Sequence, residues 1–279
     1  GGLDVWRTLA EWPDFAPEAP ADDIAISELE ARDRLKEMLG TNSEARPQQA
    51  DFSALTSHAF LPRAQVDAPN IVLAEAGTGT GKTLGYIAPA SVWAEKNGAT
   101  VWISTFTKNL QRQIDDELNR LYPDPAEKAE KAVIRKGREN YLCLLNFEEA
   151  LQGGVAAKQD QIVLGLVARW IEATRDGDMV GGDFPSWLLE LEGRSRITRL
   201  ADRRGECIFS ACPHYRKCFI EKSGRKARKA DIVIANHALV MINGATRPDD
   251  PYLPKRYVFD EGHHLFDAAD SAFAAHLTG

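Results

Sequence analysis

The sequence lacks the features that would place it outside the ordinary globular proteins. Nowhere in its 279 residues is there an apolar run of about 18 residues, and the first seven residues contain neither the basic nor the apolar part of a secretory signal. We therefore expect a cytoplasmic protein without a membrane partner. It has only four cysteines and three methionines, and no internal repeat or low-complexity segment. With no initiator Met and no tail-like end, we expect a fragment of a longer protein.

What the sequence does contain is a balanced composition with an uneven distribution of charge. It is 44% hydrophobic and 27% charged, which excludes disordered and fibrous classes. The net charge is -7, yet residues 194–229 hold twelve of the 34 Lys and Arg against three carboxylates. Residues 1–45 hold eleven carboxylates against four basic side chains, and we interpret them as a peripheral acidic leader. A basic block is usually a solvated face, but it is also a candidate surface for nucleic acid.

Strand and helix patterns alternate along most of the chain. The predicted strands are 70–75, 100–104, 230–235 and 256–260, and the predicted helices are 31–39, 47–59, 82–93 and 108–121. Continuous β-branched runs alternating with helices favour an α/β domain with a parallel sheet. Residues 141–219 differ, because they combine helical apolar patches with all four cysteines. We interpret this stretch as a mainly helical insertion in the α/β domain.

A phosphate-binding loop is predicted between the strand at 70–75 and the helix that follows. The segment runs Ala76-Gly77-Thr78-Gly79-Thr80-Gly81-Lys82-Thr83. Its glycines allow backbone amides to face an anion at the amino end of the helix. Lys82 would reach the terminal phosphates, and the Thr83 hydroxyl would ligate Mg²⁺. The alternative is a glycine-rich turn that only caps a helix.

An acidic pair follows the last predicted strand. Asp260 would bind Mg²⁺, and Glu261 would orient or deprotonate the attacking water, as phosphoryl transfer requires. The alternative is a solvated pair of carboxylates at a strand end. His263 and His264 come next, without partners at the spacing of metal ligands, so a coupling role is favoured for them.

The four cysteines are candidate metal ligands, because a cytosolic chain should not hold them as disulfides. Their spacing places one residue far from a cluster of three, in the order Cys143, Cys207, Cys212 and Cys218. Four thiolates can hold an iron-sulfur cubane or zinc, and this spacing does not decide between them. Unligated buried cysteines are a third reading.

Several segments together resemble the iron-sulfur superfamily 2 DNA helicases of the XPD/DinG group, most closely the bacterial DinG/YoaA-like branch. Residues 75–83 resemble motif I, 103–111 motif Ia and 260–265 motif II. Residues 136–143 are similar to the family's lead-in to its first cluster ligand, and residues 230–237 to its strand after the cluster. These segments occur in the family's order between residues 46 and 265.

The resemblance implies a RecA-like motor domain with a [4Fe-4S]-bearing insertion, acting with ATP and Mg²⁺ on single-stranded or forked DNA with 5'→3' polarity. It places Arg46 and Gln49 at the adenine and makes His263 a link between hydrolysis and DNA. The residues it places on the DNA path are Thr105, Thr107, Lys108 and Gln111, although the two threonines read equally as helix caps. The same holds for Asn236, and His237 reads as a buried residue.

The implied division of the chain has four parts. They are the acidic leader 1–45, the first part of the motor domain at 46–142, the iron-sulfur domain at 143–218, and the second part of the motor domain at 219–279. A second motor domain, and with it an arginine finger, would lie elsewhere in the full-length protein, which we expect to be a monomer. The chain departs from the family at Gly262, where Ala is usual. The alternative function is a zinc-pinned nucleic-acid-binding module with a regulatory nucleotide site.

Overall fold

A computed structural model describes residues 3–13, 21–41, 46–65, 68–77, 79–153, 158–193, 197–203, 205–246 and 253–274. The chain divides into two compact units. One contains residues 1–17 and 136–225, and the other contains residues 18–135 and 226–279. This division differs from the expected one, because the acidic leader is not a separate part. Its first residues belong to the cysteine-bearing unit, and the remainder belongs to the sheet-bearing unit.

The helices and strands have the following bounds within the described residues. The helices are α1 (Glu28–Leu39), α2 (Pro47–Ser57), α3 (Lys82–Asn97), α4 (Lys108–Leu121), α5 (Pro125–Lys131), α6 (Leu144–Gln152), α7 (Lys158–Ala173), α8 (Ser186–Glu192), α9 (Phe219–Lys229), α10 (His237–Thr246) and α11 (Leu265–Phe273). The strands are β1 (Val101–Thr105), β2 (Ala132–Ile134), β3 (Ile232–Asn236) and β4 (Arg256–Phe259). None of the described helices is long and apolar enough to cross a bilayer.

The sheet-bearing unit is built on a parallel sheet with the strand order β2-β3-β1-β4. All five residues of β1 are buried, and Ile103, at its centre, aligns with Ile234 of β3 and Val258 of β4. Strands buried on both faces are typical of parallel sheets covered by helices. The predicted α/β class with a parallel sheet is therefore confirmed. The carboxyl ends of β1, β3 and β4 lie at one edge, where ligands bind in such sheets.

The predicted strand at 70–75 is absent. Residues 71–77 have no regular secondary structure, and the side chains of Ile71 and Leu73 are 75% and 92% exposed. An apolar run becomes a strand only where a neighbouring strand satisfies its backbone groups. Within the described residues, this segment pairs with none of the four strands. The composition of residues 70–75 is that of a buried strand, but composition does not show whether a neighbouring strand is available to pair with it.

Helices α1, α2 and α3 pack together, and the first two begin with a recognisable local signal. Ser27 and Glu30 form a capping box at the start of α1, and Pro47 occupies the first turn of α2. Helix α3 continues through Pro89, which has no N–H to donate to the Gly85 carbonyl. The hydroxyl of Thr56, on α2, lies 3.5 Å from that carbonyl but only 3.0 Å from the Phe52 carbonyl of its own helix. Because a hydroxyl has one hydrogen to donate, the contact with Gly85 shows how closely α2 packs on α3 and does not replace the missing hydrogen bond.

The cysteine-bearing unit has a core of its own. Helices α6, α7 and α8 contribute fully buried side chains, among them Phe147, Ile171 and Leu188. Val5, only 3% exposed, joins the same core from the leader. The leader is therefore not peripheral at this point, since a β-branched side chain gains free energy by leaving water here.

Candidate functional site

A cavity of about 480 Å³ lies at the carboxyl edge of the sheet, which is within the range of small-molecule sites, about 300–1,000 Å³. It brings together residues from the phosphate loop, the acidic pair and the start of α2. The lining residues are Leu39, Arg46, Gln49, Gly79, Thr80, Gly81, Lys82, Thr83, Leu84, Leu110, Gln113, Ile114, Glu117, Arg120, Asp260 and Glu261. Of the predicted loop, Ala76 and Gly77 do not line the cavity, and Thr78 lies outside the described residues.

The loop geometry depends on glycine at two positions. Gly79 and Gly81 have φ values of +81° and +78°, in the left-handed region that glycine adopts without a steric penalty. A Cβ at Gly81 would lie 2.2 Å from Gln49 Nε2. That nitrogen donates a 2.9 Å hydrogen bond to the Gly81 carbonyl, and Arg46 Nη1 approaches the Gly79 carbonyl at 3.4 Å. The two predicted adenine-contacting side chains therefore hold the loop directly.

The acidic pair follows β4 and is tied to β1 by the backbone. The Asp260 N–H donates to the Ser104 carbonyl at 2.8 Å, which extends the parallel ladder. Glu261 adopts a left-handed conformation with φ of 54°, a strained state for a side-chain-bearing residue that is common at functional sites. Its Oε1 lies 3.3 Å from Lys82 Nζ. At the departure from the family, a Cβ on Gly262 would meet Leu265 Cδ1 at 4.0 Å, so alanine would also fit there.

Burial sets the electrostatics of this site. It raises the pKa of Asp260, and the neighbouring Glu261 adds to the rise, whereas Lys82 opposes it. Burial also raises the pKa of Tyr86 well above its usual value, with Asp260 as the next cause. A cation at Asp260 would relieve both effects. This combination is what a site for Mg²⁺ and polyphosphate requires.

The predicted DNA-path residues do not share one environment. Thr105 and Gln111 are buried, with 0% and 3% exposure, whereas Thr107 and Lys108 are exposed. The Thr107 hydroxyl accepts from the Leu110 N–H at 3.2 Å, so it does cap α4. The Thr105 hydroxyl lowers the pKa of Asp260, although the distance and angle between the two side chains are not those of a hydrogen bond. His263 is exposed, and its Nδ1 lies 3.6 Å from Glu261 Oε2.

Sequence reasoning missed one face of α4, the buried Tyr86 hydroxyl and the contact between Ser104 and His237. Leu110, Gln113, Glu117 and Arg120 line the cavity, and their helical spacing within the predicted helix 108–121 was the available signal. The Tyr86 hydroxyl is buried without a hydrogen-bond partner. Ser104 Oγ and His237 Nδ1, both in buried residues, lie 2.7 Å apart. Those contacts had no signal in the sequence.

The four cysteines, which form no disulfide, line a single cavity of about 30 Å³ in their unit. Cys143 and Cys218 directly precede α6 and α9, and the Phe209 N–H donates to Cys207 Sγ at 3.4 Å. Burial raises the pKa of Cys143, Cys212 and Cys218, the last to about 11, and nearby backbone N–H groups oppose each rise. In this arrangement the uncharged thiol is favoured.

Across the described ranges, no three His, Cys, Asp or Glu side chains are arranged so that they could hold a metal ion. The cysteine ligand set therefore remains a prediction. Its chemistry nevertheless suits a thiophilic group, because four sulfurs and several N–H donors converge on one desolvated space.

Comparison with known proteins shows which proteins the chain is similar to. The chain is 35% identical over 212 residues to the ATP-dependent DNA helicase YoaA of Haemophilus influenzae and 35% identical over 217 residues to YoaA of Escherichia coli. It is 33% identical over 217 residues to the ATP-dependent DNA helicase DinG of Photobacterium profundum. The chain is homologous to part of the DinG and YoaA helicases. No protein-family model matches it.

The matches to the DinG and YoaA helicases cover 73%, 74% and 70% of this chain but 31%, 32% and 29% of those proteins. The chain thus spans about a third of the length of the curated relatives it matches. The resemblance expected from the motifs is confirmed over that portion.

Proposed function

We propose that the chain is the first motor portion of an ATP-dependent DNA helicase. The single observation that carries this proposal is the 480 Å³ cavity, in which the phosphate loop, the acidic pair and the Arg46–Gln49 turn meet. Its homology to helicases of the DinG and YoaA type supports the same function. The 5'→3' polarity, the monomeric state and the cytoplasmic location belong to this proposal.

The predicted site residues have the following chemical roles in this proposal. Lys82 binds the terminal phosphates, and Thr83 and Asp260 hold Mg²⁺, which when bound neutralises phosphate charge. Glu261 orients the attacking water and accepts its proton. The Lys82–Glu261 contact then describes the site before substrate arrives, when each charge is the partner of the other. Arg46 and Gln49 contact adenine, and His263 couples hydrolysis to DNA.

The DNA path is proposed along the loop after β1. Thr107 and Lys108 are exposed there and offer a hydroxyl and a positive charge to a phosphate. The side chains of Thr105 and Gln111 are buried, so in this proposal they support the loop. They contact DNA only after a movement of the loop exposes them. If basic side chains neutralise phosphates, affinity for single-stranded DNA falls with salt at a log-log slope of about -0.7 per phosphate.

For the four cysteines we propose a [4Fe-4S] cluster. Four thiols around one desolvated cavity support a thiolate-bound group, and an apolar shell with N–H donors to sulfur suits a cluster. Such a group, when bound, cross-links the segment at Cys143 to the stretch that contains Cys207, Cys212 and Cys218. The competing occupant is zinc, which would favour the nucleic-acid-binding module with a regulatory nucleotide site. Iron and acid-labile sulfide on protein purified without oxygen distinguish the two, since the cubane contains about four of each.

The nucleotide site is tested by Lys82→Ala in the 279-residue chain and in the full-length protein. We expect loss of nucleotide binding in the first and of strand separation in the second. Lys96→Ala is the matched control, because Lys96 lies on the same helix but pairs with Glu30 at 2.6 Å. Unchanged strand separation in the Lys82 variant would contradict the motor function. The 279-residue chain by itself should hydrolyse ATP slowly, because an arginine finger contributes about 10³–10⁵ to turnover in related reactions.

A further inference from the structure

Residues 3–13, which we call the N-terminal strap, pack on the segment that connects Cys212 to Cys218. We propose that the strap is a structural part of the four-cysteine site and holds this segment in position for ligation. This inference relies on the proposed ligand role of the cysteines for its metal readout only.

The connection runs through the backbone of Tyr215. The Tyr215 N–H donates to the Cys212 carbonyl at 3.0 Å, and the Cys218 N–H donates to the Tyr215 carbonyl at 3.1 Å. The same carbonyl accepts from Trp12 Nε1 at 2.9 Å. Trp12 is therefore bonded to the carbonyl of the residue whose backbone N–H binds Cys212 and whose carbonyl binds Cys218. It also donates its own N–H to the Arg216 carbonyl at 2.9 Å.

The Trp12 ring is enclosed by side chains of the same unit, so it is only 6% exposed. Tyr215 meets it edge-on at 5.4 Å between centroids, and the Arg225 guanidinium lies 3.5 Å from its centroid. Cation–π and edge-to-face contacts of this kind stabilise a buried indole beyond its loss of water contact. The indole thus binds both the cysteine segment and the helix that follows Cys218.

Trp6 makes a second attachment six residues earlier in the strap. It meets the His214 imidazole edge-on at 5.4 Å, and its carbonyl accepts from Lys217 Nζ at 2.9 Å. His214 is buried, with Nε2 2.7 Å from Glu148 Oε2 on α6. The His214 backbone N–H in turn contacts the Cys212 thiol. Each end of the strap therefore contacts a residue that touches a cysteine.

The strap also changes the interpretation of the basic block. Arg216 pairs with Glu11 at 2.8 Å, Lys217 binds strap carbonyls, and Arg225 stacks on Trp12. These three cations bind the N-terminal strap. The strap, which is the first part of the acidic leader, and these cations of the basic block are therefore partners within one unit.

The test compares Trp12→Ala with Trp187→Ala in the full 279-residue chain purified without oxygen. Trp187 is the matched control, because it lies in the same unit but is 53% exposed. The readouts are the visible absorption of the bound metal, the rate of its transfer to a chelator, and the rate at which iodoacetamide alkylates Cys212 and Cys218 in the metal-free chain.

We expect Trp12→Ala to release metal about tenfold faster than wild type, as when partners outside the ligand set are removed. Its metal-free form should be alkylated faster at Cys212 and Cys218 but not at Cys143. Trp12→Phe, which keeps an aromatic ring but loses the Nε1 donor, should release metal and be alkylated at intermediate rates. Trp187→Ala should show the wild-type rates. A shared far-ultraviolet spectrum shows that all variants fold.

Equal release and equal alkylation in Trp12→Ala and wild type would overturn the strap proposal and leave the ligand assignment intact. A wild-type chain that binds neither iron nor zinc would overturn the ligand assignment, and the alkylation rates would then decide the strap proposal by themselves.

Discussion

Gly81→Ala and Gly98→Ala form a matched pair at the two ends of α3. Both glycines have positive φ, +78° and +54°. A Cβ on Gly98 would meet nothing within 4 Å, so alanine there adds backbone strain alone, about 1–2 kcal/mol. A Cβ on Gly81 would additionally displace the Gln49 amide, which borders the 480 Å³ cavity.

The displacement of Gln49 breaks its hydrogen bond to the Gly81 carbonyl. The loss of this hydrogen bond costs about 0.5–1.5 kcal/mol, so Gly81→Ala should lose about 1.5–3.5 kcal/mol in total. Urea unfolding of the two variants at a common m-value measures the difference. A fluorescent ATP analogue should bind Gly98→Ala as it binds wild type and bind Gly81→Ala at least about tenfold more weakly, which corresponds to 1.4 kcal/mol. If Gly81→Ala is no less stable than Gly98→Ala, the tight contact with Gln49 is wrong.

Three further predictions concern stability in the sheet-bearing unit. Tyr86→Phe removes a buried hydroxyl without a partner and should leave stability unchanged or raise it by up to about 1 kcal/mol. Tyr122→Phe loses a hydrogen bond to Asp231 and should cost about 1 kcal/mol. Equal losses of the two variants in urea unfolding would show that the Tyr86 hydroxyl is bonded. The hydrogen bond from Lys96, followed by that from the Ser27 backbone, lowers the pKa of Glu30 from 4.5 to about 2. The contribution of the Glu30 carboxylate to the free energy of unfolding is therefore complete above about pH 4.5 and is lost as the pH falls towards 2. Glu30→Gln should make stability less dependent on pH over that interval, and an unchanged pH dependence below 4.5 would contradict this. Ile103→Ala, in β1, should cost about 2–5 kcal/mol, and Leu73→Ala less than about 0.5 kcal/mol; similar losses would mean that 70–75 is packed as the sequence predicts.

The sequence predicts most of the sheet-bearing unit because its signals are local. The Thr107 cap, Pro47 and the apolar run at 101–105 each specify an element from adjacent residues, and the structure has a helix or strand at each. The strand order and the three-residue strand β2 depend on contacts between distant segments, which no local pattern encodes. The error at 70–75 has the same origin.

The candidate site likewise contains parts that short motifs predict and parts that depend on contacts between distant segments. The phosphate loop and the acidic pair are short motifs, and both line the cavity. Tyr86 and the Ser104–His237 contact arise only when β1, β3 and α3 are placed side by side. Trp12 was overlooked for a different reason, because it lies in an acidic, proline-containing segment whose composition resembles that of an exposed leader.

The strap imposes an order on the synthesis of the protein. Trp12 and the carbonyl it binds are 203 residues apart, so at about 5–20 residues per second the ribosome needs roughly 10–40 s between them. During that interval Val5, Trp6 and Trp12 are exposed apolar groups on a nascent chain. The cysteine-bearing unit closes only after residue 225 has emerged, and its cysteines are therefore ready for a ligand only after that point in translation.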